Sequence, residues 1–151
     1  MAADLIYDRF LTGAYVGDYD IASNMYVVLM TGYFTGAQIA DDDYDSIKPY
    51  EIVDGLSIYK AGGSSLVNPH IRLEGTGNRT GVIGADNITF SNSTITASGC
   101  AVFYSGGIAN ADKRLVCYVD FGSDKTSSNG DFTINWNSAG STSGILRVEQ
   151  G

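Results

Sequence analysis

Few side chains in this sequence belong to the types that do chemistry. Asp41-Asp42-Asp43-Tyr44-Asp45 brings four carboxylates close together. Calcium takes six to eight oxygen ligands, and carboxylates are its usual donors. An EF-hand loop, however, alternates its ligands and needs a central glycine. This run has neither property, so it reads as a solvated acidic loop, with calcium as the alternative. Cys100 and Cys117 fall among apolar residues on neighbouring predicted strands. With no CxxC spacing and no partner histidine, they read as buried thiols serving as small hydrophobes rather than as a metal pair. A disulfide between them stays open. His70, the only histidine, follows Pro69 and has no catalytic company. It reads as a surface or structurally bonded side chain.

Covalent catalysis needs an activated Ser or Cys beside a base. His70 lies far along the chain from either cysteine, and there is no G-x-S-x-G elbow and no G-x-x-x-x-G-K-[ST] phosphate loop. The acidic residues cluster in loops without the paired motif that sugar cleavage requires. No catalytic, cofactor-binding or metal-ligating residue is therefore assigned. The expectation is a protein without a cofactor that is not an enzyme. Asn78-Arg79-Thr80, Asn87-Ile88-Thr89 and Asn92-Ser93-Thr94 match the glycosylation pattern, but in a chain so rich in Asn, Ser and Thr they read as composition.

The bulk properties suit one domain of 151 residues, 44% apolar and only 17% charged. Disorder goes with the opposite balance. Nineteen glycines, ten tyrosines and two prolines suit many turns joined by aromatic-bearing strands. The formal net charge of −8 repels phosphate, so nucleic acid is not an expected partner. Met1-Ala2-Ala3-Asp4 lacks the basic start and apolar run of a secretion signal. No apolar stretch approaches the roughly 20 residues that span a bilayer. The expectation is a chain made in a cytoplasm, with no membrane partner.

The elements that must position these residues read as follows. Residues 1–14 suggest a short helical arm: Ile6, Tyr7, Phe10 and Leu11 share one helical face, Asp4 suits its start and Gly13 its end. Residues 25–73 hold less regular strands and loops. Met25 to Thr31 reads as a strand buried on both faces. Ile47 to Ile58 reads as a further strand or bend around an Asp54-Gly55 turn, and Leu66 to Leu73 as an edge or bulged strand because of Pro69. Residues 79–149 read as the core of antiparallel strands, which organises the rest. There, Ser91-Asn92-Ser93 suggests a turn, Gly99 to Tyr104 a central strand, and Arg114 to Phe121 its antiparallel return. In that return Leu115, Cys117, Val119 and Phe121 share a face. Gly122 to Asn129 reads as a polar loop ending in an Asn129-Gly130 hairpin turn. Phe132, Ile134 and Trp136 then alternate onto the core face, and a last short strand spans Ile145 to Val148. Short strands at this spacing predict a mainly β fold, an antiparallel β-sandwich or barrel with a short N-terminal helix.

Several of these segments carry a resemblance. Tyr7…Phe10-Leu11-Thr12-Gly13, Tyr26-Val27-Val28-Leu29-Met30, Ala85 to Ser91, Ala101-Val102-Phe103-Tyr104 and Val119 to Trp136 resemble small structural proteins of tailed-bacteriophage virions, of the capsid decoration or cement type. Thr35 to Gly75 matches poorly. The resemblance implies a decoration protein on the outer capsid surface that stabilises the shell, with the major capsid protein as partner and a homotrimer as its own assembly. The N-terminal helix, loops and exposed tyrosines would make the contacts. Alternatives are a tail, fibre or head–tail adaptor protein, and a carbohydrate-binding β-sandwich module. The last needs an exposed aromatic platform, whereas the alternation places Trp136 in the core.

Overall fold

A computed structural model of the chain describes residues 3–32, 40–53, 58–74, 80–136 and 144–149. In order, the elements are β1 (Leu5–Ile6), α1 (Asp8–Val16), β2 (Met25–Met30), α2 (Tyr44–Ile47) running into a 3-10 turn (Lys48–Tyr50), and β3 (Ser64–Ser65). Then come β4 (Val67–Glu74), β5 (Thr80–Asp86), β6 (Ile88–Ser105), a second 3-10 turn (Asn110–Asp112), β7 (Lys113–Ile134) and β8 (Leu146–Glu149). The strands pair antiparallel in two sheets, ordered β1-β7-β6-β2-β3 and β4-β5-β8. The fold is mainly β, a sandwich whose sheets do not close into a barrel. The expected turn at Asp54-Gly55 lies outside the described residues.

Between the sheets, Val27, Leu29, Cys100, Val102, Cys117 and Val119 meet Ala85 and Leu146, with Phe132, Ile134 and Trp136 completing the core. The alternation of that last trio is borne out, and Trp136 is fully buried. A second apolar cluster lies on the other face of the large sheet, where Val28, Met30, Ala101, Phe103 and Tyr118 are covered by Tyr7, Tyr44 and Ile47. The unbroken apolar run of β2 follows from this double cover: alternate residues feed different cores.

The N-terminal arm differs from expectation. Leu5–Ile6 is a strand on the edge of β7, and the helix starts at Asp8. Gly13 lies inside it, and Gly17, at φ 79°, closes it with its N–H on the Gly13 carbonyl. Asp4 caps no helix; its carboxylate accepts the Asp120 N–H at 2.8 Å. Ile47 to Tyr50, the start of the stretch expected as a strand or bend, continue the helical turns that begin at Tyr44. Pro49 suits the start of such a turn because its missing N–H would have had no partner there. Only an isolated bridge joins Glu51 to Met30. Pro69 does sit in an edge strand: among the described residues β4 pairs only with β5, and a bulge at Asn68, φ 50°, shifts its register.

The main departure is in length. The expected turn at Ser91-Asn92-Ser93 and hairpin at Asn129-Gly130 are both bulges inside continuous strands, with Asn92 and Asn129 each at φ 50° and Ser93 paired with Gly130. The serine-rich loop is likewise part of β7. A flat strand as long as β6 would reach roughly 60 Å, whereas a compact chain of this size is about 40 Å across. The ribbon must bend, and paired bulges bend both strands together. Of the two further irregularities, the one between Val102 and Phe103 leaves Val116 unopposed. It turns Leu115 to the second cluster while Cys117 and Val119 face the sandwich, so the expected single face is broken. Asn87 alone links β5 to β6 across the two sheets, and its side chain accepts the Trp136 N–H at 3.0 Å, fixing the corner.

Gly99 lies on β6 between Met30 and Asp120, where a Cβ would overlap the Tyr118 hydroxyl and stand 2.6 Å from the Val119 carbonyl oxygen. Gly99→Ala is expected to cost about 2–3 kcal/mol, because the Val119 backbone stands in the way along with the fully buried Tyr118 ring; a urea midpoint equal to wild type would contradict this packing.

Candidate functional site

The structure gives Asp43, Asp45, His70 and both cysteines structural occupations. Asp43 precedes α2 and its carboxylate accepts the Asp45 N–H at 3.0 Å, while the Asp45 carboxylate accepts Asn110 Nδ2 at 2.7 Å. The acidic run thus builds a helix start and a loop contact. Among the described residues no group of three or more His, Cys, Asp and Glu is placed to hold a metal ion. His70 Nδ1 lies 2.8 Å from the Asn68 carbonyl and its Nε2 3.0 Å from Arg72 Nη1. With both ring nitrogens engaged, Nδ1–H donates to the carbonyl and Nε2 accepts from Arg72. The structurally bonded reading of His70 is borne out. Arg72 Nε and Arg147 Nη1 in turn reach the two oxygens of Glu74, at 2.5 and 2.8 Å. The bonds from Arg147 and then Arg72 hold the Glu74 carboxyl below its usual range.

Cys100 and Cys117 are free, buried thiols. Burial pushes both upward, Cys117 to about 12. A thiol so placed is not a nucleophile near neutrality, since the thiolate is the reactive form.

Sequence reading passed over Glu51, the most elaborate polar group of the interior. It accepts the hydroxyls of Tyr44 and Tyr59 and, at 2.8 Å, the Gly62 N–H. Tyr59 also accepts the Leu29 N–H at 3.1 Å, while the Leu29 carbonyl takes the Ile52 N–H. These bonds complete the open edge of β2 beyond the short β3. Burial, then the bond to Glu51, raises both phenols, which keeps them protonated as donors. No local signal marks Glu51, because its partners lie up to eleven residues away or on another strand.

What remains as a candidate site is a surface. Register places Ile71 beside Ile83, Ile83 beside Leu146, and Leu73 and Val148 on either side of Gly81, all on the inward face of the small sheet. At the Leu146 end that face meets the core. At the other end Ile71, Leu73 and Val148 are 64%, 63% and 63% exposed. With Phe10, Leu11 and Ala14 of α1, Ile71 and Val148 line an apolar groove of about 310 Å³. The opposite face of β4 carries His70, Arg72 and Glu74, so the sheet separates a charged side from an apolar one. The alternation of Ile71 and Leu73 with Arg72 and Glu74 was visible in the sequence, but not which side lacks cover. Tyrosines do not form this surface. Among those whose side chains are described, Tyr7, Tyr44, Tyr59 and Tyr118 are buried and Tyr19, Tyr26, Tyr50 and Tyr104 half-buried, which corrects the expectation of exposed tyrosine anchors. No helix among the described residues is long and apolar enough to cross a membrane. Comparison with known protein families, curated proteins and solved structures finds no match for this chain.

Two outcomes follow. Tyr59→Phe strands the Leu29 N–H and removes one of the two donors to Glu51 Oε1, and should cost about 2–4 kcal/mol by urea denaturation, against less than about 0.5 kcal/mol for Tyr26→Phe. The thiols should resist iodoacetamide in the native chain at pH 8 and react fully in urea. Below about pH 8.5 they are protonated in both states. Between that value and the raised native one the unfolded chain sheds its protons first, so stability falls as pH rises. Rapid native labelling would show the thiols to be accessible.

Proposed function

We propose that this chain is a structural, adhesive component of a tailed-phage virion, most specifically a capsid decoration protein that binds the outer shell and stabilises it without turning over a substrate. The observation that carries the reading is the uncovered apolar face of Ile71, Leu73 and Val148 beside Leu11, on a chain of net charge −8. A contiguous apolar patch on an otherwise polar surface is a feature of protein-binding sites. The resemblance of its strand segments to virion decoration proteins gives the partner, the major capsid protein, and a homotrimer as the assembly. Modest affinity per copy suffices when many copies and several contacts act together. Engagement of His70 and burial of both thiols are consistent with a non-enzymatic role. Burial of Trp136 removes the aromatic platform on which a sugar-binding reading would depend.

The test is co-sedimentation with expanded, undecorated heads of the phage that encodes the chain. The wild type should pellet at stoichiometric occupancy and raise the temperature at which heads release DNA. Ile71→Lys combined with Leu73→Lys, both at exposed positions, should keep the native unfolding midpoint within about 1 kcal/mol and lose most head binding. Recovery of the chain only from tails would sink the decoration reading.

A further inference from the structure

A different face of α1 borders a second pocket, of about 420 Å³, whose chemistry is opposite to that of the apolar groove. Arg9, Thr12 and Gly13 line it from the helix, and Asp18, Tyr19 and Arg114 from the residues packed beside it. Buried polar atoms without a partner are rare in folded proteins, and each calls for an explanation. Two of them, the Tyr19 hydroxyl and Arg114 Nε, belong to residues of this one pocket.

These groups are held in position. The Tyr19 ring meets Phe10 edge-on at 5.0 Å and Tyr104 at 5.6 Å. Gly13 makes the room, since a Cβ there would come 2.5 Å from Tyr19 Cε2. Arg114 is answered only loosely: its Nη1 is 3.8 Å from Asp18 Oδ2, too far for a hydrogen bond, and 3.4 Å from the Asp18 carbonyl. Arg9 makes no ion pair among the described residues. Binding in the pocket requires the Arg114 fork to turn from its place against Asp18, so that the buried Nε and an Nη present the edge that matches a carboxylate.

We propose that this pocket binds the carboxylate group of a monoanionic ligand, with Arg114 as the bidentate donor, Tyr19 as a hydroxyl donor and Arg9 as the second cation. Charge selects the class. Arg9, Arg114 and Asp18 line the pocket, and the charge of Asp42 also acts on Tyr19. Two cations set against two anions leave oriented donors but little net positive potential, which suits a single charge and disfavours a phosphate dianion. The carboxylate can come from a small acid or from an acidic side chain of a protein, and the chemistry of recognition is the same.

The test follows the Arg Nε–H and Gly13 amide resonances of the full-length, 15N-labelled chain at fixed ionic strength. Propionate is compared with its neutral isostere propionamide, with inorganic phosphate, and with a capped peptide carrying one aspartate. Saturable shifts are expected with propionate, none with propionamide, and weaker binding of phosphate. Tyr19→Phe keeps the ring packing and should weaken propionate binding roughly tenfold, as should Arg114→Lys, which keeps the charge but not the fork. Tighter binding of the peptide than of propionate assigns a protein carboxylate, and the reverse a small acid; both support the carboxylate class. Equal shifts with propionamide, phosphate binding more tightly than propionate, or a folded Tyr19→Phe chain with wild-type affinity would each overturn the proposal.

Discussion

The pairing of β6 with β7 is the constraint on which the architecture rests. These two strands supply nearly half of each apolar cluster, and the rest of the large sheet is built outward from them, β1 on β7 and β2 on β6 with β3 beyond it. A side-chain period of two means that a slip of one residue would exchange the faces. The bulges change faces only at defined places. At Val116 the chain passes from serving the second cluster to serving the sandwich, and at Asn92 and Asn129 it bends far enough for Phe90, Phe132 and Ile134 to close the core. The polar links reinforce the same arrangement. Asn87 holds the corner between sheets, and the N-terminal segment bonds to both sides, through Ala3 to Ile145 and through Asp4 to Tyr118.

Much of this was legible in the sequence, and the rest was not for identifiable reasons. The run from Met25 and the alternation Phe132, Ile134, Trp136 report burial directly, because they record which faces meet apolar neighbours. The edge role of β4 was written in Pro69, which lacks the donor a central strand needs. Asn129-Gly130 misled because positive φ serves a hairpin turn and a bulge equally well. What separates them is whether a partner strand continues alongside, and that partner lies some 35 residues away. Asp4 and Gly13 misled in another way: both suit helix ends, but the pairing of Leu5–Ile6 with β7 claimed the residues before Asp8. The thiols and His70 could be read for what they lack. The apolar face, the Glu51 group and the arginine pocket could not, since each is assembled from distant segments and has no local spacing.

The surface divides its labour. One face of α1 borders an apolar groove and another a pocket of charge and hydroxyl, so a nine-residue helix separates two chemistries. On the proposed reading, apolar contact supplies adhesion to the shell, and an oriented carboxylate contact would restrict the angle at which the chain sits. Electrostatic complementarity governs orientation and partner choice more than it governs overall affinity.

The bulge at Asn68 and the proline after it have a further consequence. A sheet that ends in an open strand invites the same strand of a neighbouring molecule to join it, and the hazard grows with local concentration. Pro69 offers no N–H to such a neighbour, and the irregular backbone at Asn68 spoils the spacing a second strand would have to match. Molecules packed at high density can thus lie side by side without fusing their sheets into a fibre.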